Sequence, residues 1–513
     1  MKKTKKGQFV DPFSEVAKSF AKNFDVAYLA KNLTLLDTLI SDAKRSVVKE
    51  DIASQAQIYY SIGTTYGDLA SLVPERSNEE TRNHQIYYLR KSISLIESDG
   101  LNKPEYLPYV TGLKLNLYTN YANAIDHIGR KIAVIEQYLK VLSIKSNFGM
   151  ALGNLGIAYF HYGILVSDPA HRDYLNYFAY DYLCKAIHSN DLSLYDAAKK
   201  YFKSTLDRYD SNYIKQVLSV PLNIPQYNYE NPEEYAYRKW GLNKRLFLNP
   251  LNDLPVAEFC FAADVLQLPN MLANIADKPV FHGLFNQFKQ EYGFARYQYY
   301  RSLEVTSDVH YADKDMYLLN FADYPQYSIR IEKLKSSFRI LYSMLDKVAF
   351  FINSYFDLEI KEHDISFHNI WLEKKEGRNG YKYKNVLHPE ENFALASIYW
   401  ISKDFYQKLL DSPNPQAKRI SDIRNALEHK YVKVYWDMSP EMPDKESDDL
   451  ALYVSESELK EQTLLLLKLI REILICLSLA VGIEEQKRKE AISRDEAFIP
   501  PINLMGYDDS WKV

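Results

Sequence analysis

The sequence predicts an all-α protein, with helical repeats in its N-terminal part and a C-terminal helical bundle interrupted by one small hairpin. Three observations carry that prediction. From residue 20 to about 211, apolar residues recur three and four apart with few strand-like alternations. Inside that stretch a pattern of large, large, small and aromatic residues returns at intervals. Farther on, Ile331, Leu334, Phe338, Leu341, Leu345, Val348, Ile352 and Phe356 step by three and four, as one buried face of a long helix does.

Size and composition bound what such a chain can be. At 513 residues it exceeds one ordinary core. Five segments are expected: a polar tail (1–15), the repeats (16–212), a Pro-punctuated connector with short helices (213–324), the bundle (325–485) and a C-terminal tail (486–513). Hydrophobic residues at 47% and charged residues at 25% exclude wholesale disorder. With 63 basic and 67 acidic side chains the net charge is -4, so any nucleic-acid site must be a local patch. The 43 tyrosines suit helix packing, where a ring is buried and its hydroxyl reaches a partner.

Cys184, Cys260 and Cys476 are far apart and form no C-x-x-C pair, which points to a reducing cytoplasm. The basic start M-K-K-T-K-K-G-Q leads into no apolar core of signal-peptide length, so secretion is not expected. The greasiest stretch, 464–479, is broken by Lys468, Arg471 and Glu472. It reads as a buried helix rather than a membrane span.

In the repeats, Tyr59, Ile62, Gly63 and Tyr66 are matched by Leu152, Leu155, Gly156 and Tyr159, with Leu117, Tyr121 and Ala124 as a weaker copy about 34 residues before the last. Each is followed by a second helical stretch, at 87–96, 132–142 and 177–187. The pattern resembles helix A of a tetratricopeptide repeat, where the glycine lets helix B approach closely. Such an array either offers a concave surface to a protein or ligand trigger, or only holds the next domain in place.

Pro221, Pro225, Pro232, Pro250, Pro255 and Pro269 then punctuate the connector. Its stretches 241–254 and 294–301 (F-A-R-Y-Q-Y-Y-R) are aromatic and basic, as either an RNA-facing surface or a wedge between two domains would be. After the long helix at 331–356, His363 and His368 lie in a loop without metal-ligand spacing, so no metal is expected.

Residues 371–386 read W-L-E-K-K-E-G-R-N-G-Y-K-Y-K-N-V, and Asn379-Gly380 signals a hairpin. Its Lys374, Lys375, Arg378, Lys382 and Lys384 are either a solvated surface or candidate RNA contacts. Helices are expected at 390–410 and 416–436, then an acidic loop, then a helix from Ser455 to near Gly482 with Glu458 placed for a capping box.

The stretch 421–431, S-D-I-R-N-A-L-E-H-K-Y, is the most polar part of the bundle. On a helix Asn425 and His429 share a face, with Arg424 one step round. A guanidinium, an amide and an imidazole there suit a phosphodiester. Arginine can hold charge growing on phosphorus, and histidine can move a proton to or from a ribose oxygen. The same residues also allow a plain Arg424 to Glu428 surface ion pair.

This succession of a long helix, an insert, a helix, R-N-x3-H and a closing helix resembles the HEPN domain (higher eukaryotes and prokaryotes nucleotide-binding). The segments 310–325 and 331–351 look like a bacterial HEPN subgroup with tetratricopeptide-like N-terminal repeats. The resemblance implies a metal-independent endoribonuclease without a cofactor, with Arg424, Asn425 and His429 as catalytic residues and Lys430 beside them as a candidate RNA contact. It also implies a homodimer with facing motifs and a role in toxin, abortive-infection or phage-defence systems. In one HEPN toxin group a tyrosine two residues after the histidine is nucleotidylated. That makes Tyr431 a candidate modification site, although that group lacks the repeats. The rival expectation is a non-catalytic nucleotide- or RNA-binding or protein-interaction scaffold using the same fold.

Overall fold

The computed structural model describes residues 9–191, 194–209, 211–213, 216, 227, 229–271, 279–304, 308–319, 324–374, 381–383, 391–405, 414–415, 417–437, 450–491 and 506–512. Of the described residues, 71% are helical. Among the described residues, eight N-terminal helices pair in sequence: α1 (Glu15–Leu29) with α2 (Leu33–Ser46), α3 (Ile52–Leu72) with α4 (Glu79–Ile96), α5 (Leu107–Asp126) with α6 (Lys131–Ile144), and α7 (Gly149–Leu165) with α8 (Pro169–Ile187). A further helix, α9 (Asp196–Leu206), packs on the last pair.

Many of these helices begin for one local reason. Ser14, Asn32, Asp51, Asn78 and Asp168 each accept a hydrogen bond from the backbone N–H three residues on, which satisfies a donor the helix itself leaves open. The two matching glycines then set how closely the pairs pack. A Cβ on Gly63 would stand 2.8 Å from Leu89 Cγ, and one on Gly156 2.8 Å from Leu183 Cγ. Both leucines lie on the second helix of the pair, so the close approach inferred from the repeat is present at both positions.

The region after the array is a wedge. Helix α10 (Pro232–Asn243) leads into a 3-10 turn at Pro250–Asp253 whose polar residues are buried. Asn252 accepts from Phe247 N and donates to Leu242 O, while Asp253 takes two hydrogen bonds from Arg471. Residues 280–302, expected to hold only short helices, instead form the 23-residue helix α11 (Val280–Ser302). Phe285, Phe288, Tyr292, Ala295 and Tyr299 form its buried face, spaced by three and four. Arg296, in the aromatic-basic stretch, is 3% exposed and pairs with Asp264, so this part of the stretch packs inward.

The bundle is built from α12 (Ile329–Tyr355), α13 (Phe393–Lys403), α14 (Ala417–His429) and α15 (Glu456–Ala491). Ser328 caps α12, and all eight apolar residues read from its sequence period are buried. The inserted hairpin is present as β1 (Leu372–Lys374) antiparallel to β2 (Tyr381–Tyr383), with Lys374 opposite Tyr381. Asn379 and Gly380 lie outside the described residues.

Three helix ends differ from expectation, and the first is that of the helix expected to run to residue 410, which as α13 stops at Lys403 with Asp404 as its C-cap. The helix expected to run to residue 436 stops at His429, and Tyr431–Tyr435 forms strand β3, parallel to β4 (Ala451–Ser455). In Y-V-K-V-Y valine alternates with tyrosine or lysine, and Val432, Val434 and Tyr435 are buried, so strand packing overrides helix continuation. The last helix passes Gly482 and ends at Ala491. Ser455 Oγ accepts from Glu458 N at 3.1 Å, but the Glu458 carboxylate is taken by Arg419, so the capping box is not reciprocal.

One hydrophobic core runs from the array through the wedge into the bundle. Buried ion pairs cross the same junction. Arg90 and Arg130 from the array reach Asp404 at the end of α13, Arg130 also holds Glu472 of α15 at 2.6 Å, and Arg471 holds Asp253. Burial lowers the pKa of the Arg130 guanidinium, but Glu472 and Asp404 outweigh it and the net shift is upward. These groups line a cavity of about 430 Å³ between array and bundle. Among the described residues no helix is long and apolar enough to cross a membrane.

Candidate functional site

The site is built on the last turns of α14. Ile420, Ile423, Ala426 and Leu427 are buried, which turns the opposite side of the helix outward. Arg419 fixes its first turns by donating to Glu458 Oε2 at 2.7 Å and to the Tyr453 carbonyl at 2.8 Å. At the other end Arg339 of α12 donates through both Nε and Nη2 to the Leu427 carbonyl, at 3.2 and 2.7 Å. Carbonyls of a last helical turn lack partners within the helix, so this bond caps α14.

Arg424 is half-buried, while Asn425, His429 and Lys430 are exposed. The Arg424 guanidinium lies 5.4 Å from the centre of the Tyr342 ring and donates to Asn425 Oδ1 at 3.0 Å. Arginine and asparagine are thus brought together as a preorganised pair. Among the described residues no hydrogen bond joins His429 to either, and no ion pair joins Arg424 to Glu428. His429 is the last helical residue and faces solvent.

Tyr431 opens β3 and is 43% exposed, with Lys433 Nζ 5.4 Å from its ring centre. Of the hairpin cations, Lys374 and Lys382 sit in the paired strands, and Lys375, Arg378 and Lys384 lie outside the described residues. Among the described residues no group of three or more His, Cys, Asp or Glu is placed to hold a metal ion. His363 is exposed, and burial lowers the pKa of His368.

The neighbouring strand anchors the site from below. Gln326 N donates to Val434 O at 2.7 Å, and Arg330 reaches Glu456 Oε2 at 2.8 Å, so the start of α12 is tied to β3 and to the start of α15. Burial alone would raise the Glu456 carboxyl, yet hydrogen bonds from Arg330 and Lys460 bring it down to about 2.

Arg339, Tyr342 and Arg419 carry no signal in the sequence. Tyr342 falls in the apolar period of α12 and looks like ordinary core, and the partners of the two arginines are distant along the chain. Residues 272–484 match the family model described as LA2681-like HEPN, so this region is an HEPN domain, whereas the helical region before it has no family assignment. No curated protein and no solved structure matches the chain.

Proposed function

We propose that the HEPN domain at residues 272–484 makes this chain an endoribonuclease whose nucleophile is the 2′-hydroxyl of the RNA itself. The family is generally one of ribonucleases. The observation that carries the reading is the arrangement on α14: an arginine seated on an aromatic ring and bonded to an asparagine, with an open histidine one turn on.

In that reaction the 2′-oxygen attacks phosphorus, the bond to the 5′-oxygen breaks, and a 2′,3′-cyclic phosphate remains. Arg424 holds the charge that grows on the phosphoryl oxygens. His429 removes the 2′ proton or returns one to the leaving 5′-oxygen. Asn425 orients the phosphate or the arginine. Metal is not required, because the nucleophile is already attached to the substrate.

The motif of one chain offers a single histidine, and the step has two proton transfers. A homodimer with facing motifs supplies the second. Lys430 and the hairpin cations Lys374, Lys375, Arg378, Lys382 and Lys384 are the candidate backbone contacts, and the array is the place for a protein or ligand trigger. Tyr431, exposed two residues beyond His429, is the candidate modification site; an intact mass unchanged after co-expression with neighbouring genes would count against it.

Induced expression in cells tests the activity. Total RNA should fragment with the wild type and stay intact with His429→Ala. Intact RNA with both would remove the ribonuclease reading.

A further inference from the structure

We infer that Arg339 and Tyr342, one turn apart on α12, are positioning residues for the Arg424, Asn425 and His429 site. The inference rests on the ribonuclease reading above. Tyr342 is 8% exposed, and its ring is fixed in turn by Phe338, at 6.4 Å between centroids, and by Phe405, at 5.9 Å. Arg424, on α14, lies over that fixed ring at 5.4 Å. A guanidinium over an aromatic face is held by the ring quadrupole without using its N–H donors. One Nη1 hydrogen goes to Asn425 Oδ1, and the other N–H donors are left for phosphate oxygens, in one orientation.

Arg339 acts at the other end of the motif. Its two donors converge on the Leu427 carbonyl, two residues before His429. The chain changes from helix to strand just there, with His429 as the last helical residue and Tyr431 as the first of β3. Without the Arg339 bond, the terminal turn of α14 would lose the partner of one of its end carbonyls, and the last turn of a helix is where fraying begins. The imidazole would then sample a range of positions. A displacement of about 1 Å at a catalytic group can cost about a hundredfold in rate.

Both residues act through others, so the sign expected is a fall in kcat with little change in KM. The experiment measures cleavage of a short fluorogenic RNA by the purified full chain, with thermal unfolding of each variant alongside. Arg339→Met and Tyr342→Leu keep much of the apolar bulk and are expected to lower kcat about tenfold or more, with KM within about twofold. Arg339→Lys can still donate to the Leu427 carbonyl and Tyr342→Phe keeps the ring, so both are expected to restore most of kcat.

Arg339→Gln serves in place of Arg339→Met if the latter does not fold. Wild-type kcat in folded Arg339→Met and Tyr342→Leu would overturn the inference, as would a rise in KM alone or a failure of the conservative variants to rescue. A wild type that cuts no RNA would instead overturn the ribonuclease reading, and the inference with it.

Discussion

At the scale of residues, the proposed chemistry rests on three side chains within six positions, and their types are legible in the amino-acid sequence. Arg424, Asn425 and His429 stand out because a helix so short of apolar residues needs another reason to exist. Sequence alone leaves open whether Arg424 is engaged by Glu428. In the folded protein it lies over Tyr342 and against Asn425 instead. Glu428→Ala should therefore leave RNA cleavage near the wild-type rate, whereas His429→Ala should lower it by about a hundredfold or more, the usual weight of a general acid or base. Rates measured on one RNA under identical conditions decide this, and equal losses in both variants would argue for a structural helix end.

At the scale of elements, glycine positions and capping residues translate directly into structure, and strand formation does not. Gly63 and Gly156 are readable because a close helix approach has few other solutions. A Cβ on Gly156 would meet Leu183 N at 3.0 Å and Ala179 O at 3.1 Å, atoms of a backbone that cannot turn aside. Gly156→Ala should cost about 1–3 kcal/mol, the range for overpacking, seen as a lower denaturation midpoint. Strand β3 is hidden because Y-V-K-V-Y is too short for its alternation to outweigh the helical run before it. Its parallel partner is separated from it by 15 residues of sequence, 436–450, whose pairing no local pattern announces. Helix α11 is hidden for a related reason, since the prolines before it signal breaks more strongly than its own period signals a helix.

The ion pair that ties the start of α12 to the start of α15 also gives a pH signature. The Glu456 carboxyl sits at about 2 in the folded protein, below its unfolded value of about 4.3. Its contribution to stability is complete above about pH 4.3 and is lost as the pH falls toward 2. Glu456→Gln should thus destabilise the protein at neutral pH, and the gap to wild type should narrow across that acid window. Unfolding midpoints taken over the pH series measure this, and a gap constant with pH would be evidence against the assignment.

At the scale of the whole molecule, the array and the HEPN bundle share one core and a buried chain of charges, which no sequence pattern reveals because Arg130 and Glu472 are 342 positions apart. Replacing one member leaves its buried partner charged and without its main counter-ion. Arg130→Met should cost about 3–5 kcal/mol, and adding Glu472→Leu should recover most of that loss. Chemical unfolding of the single and double variants separates this from simple loss of packing, which the double variant would not recover. Through Asp404, the same network ties the array to the end of α13, whose backbone carbonyl also accepts from Asn414, ahead of the motif helix.

The proposal that unites these scales is that His429 moves a proton while the RNA supplies its own nucleophile. The most direct measurement incubates the purified chain, with a chelator present, with one RNA, its 2′-O-methyl counterpart and the DNA of the same sequence. Cleavage of the RNA alone, with 2′,3′-cyclic phosphate ends and none by His429→Ala, is the predicted result. Cleavage of the DNA or the 2′-O-methyl strand, or full activity in His429→Ala, would contradict it.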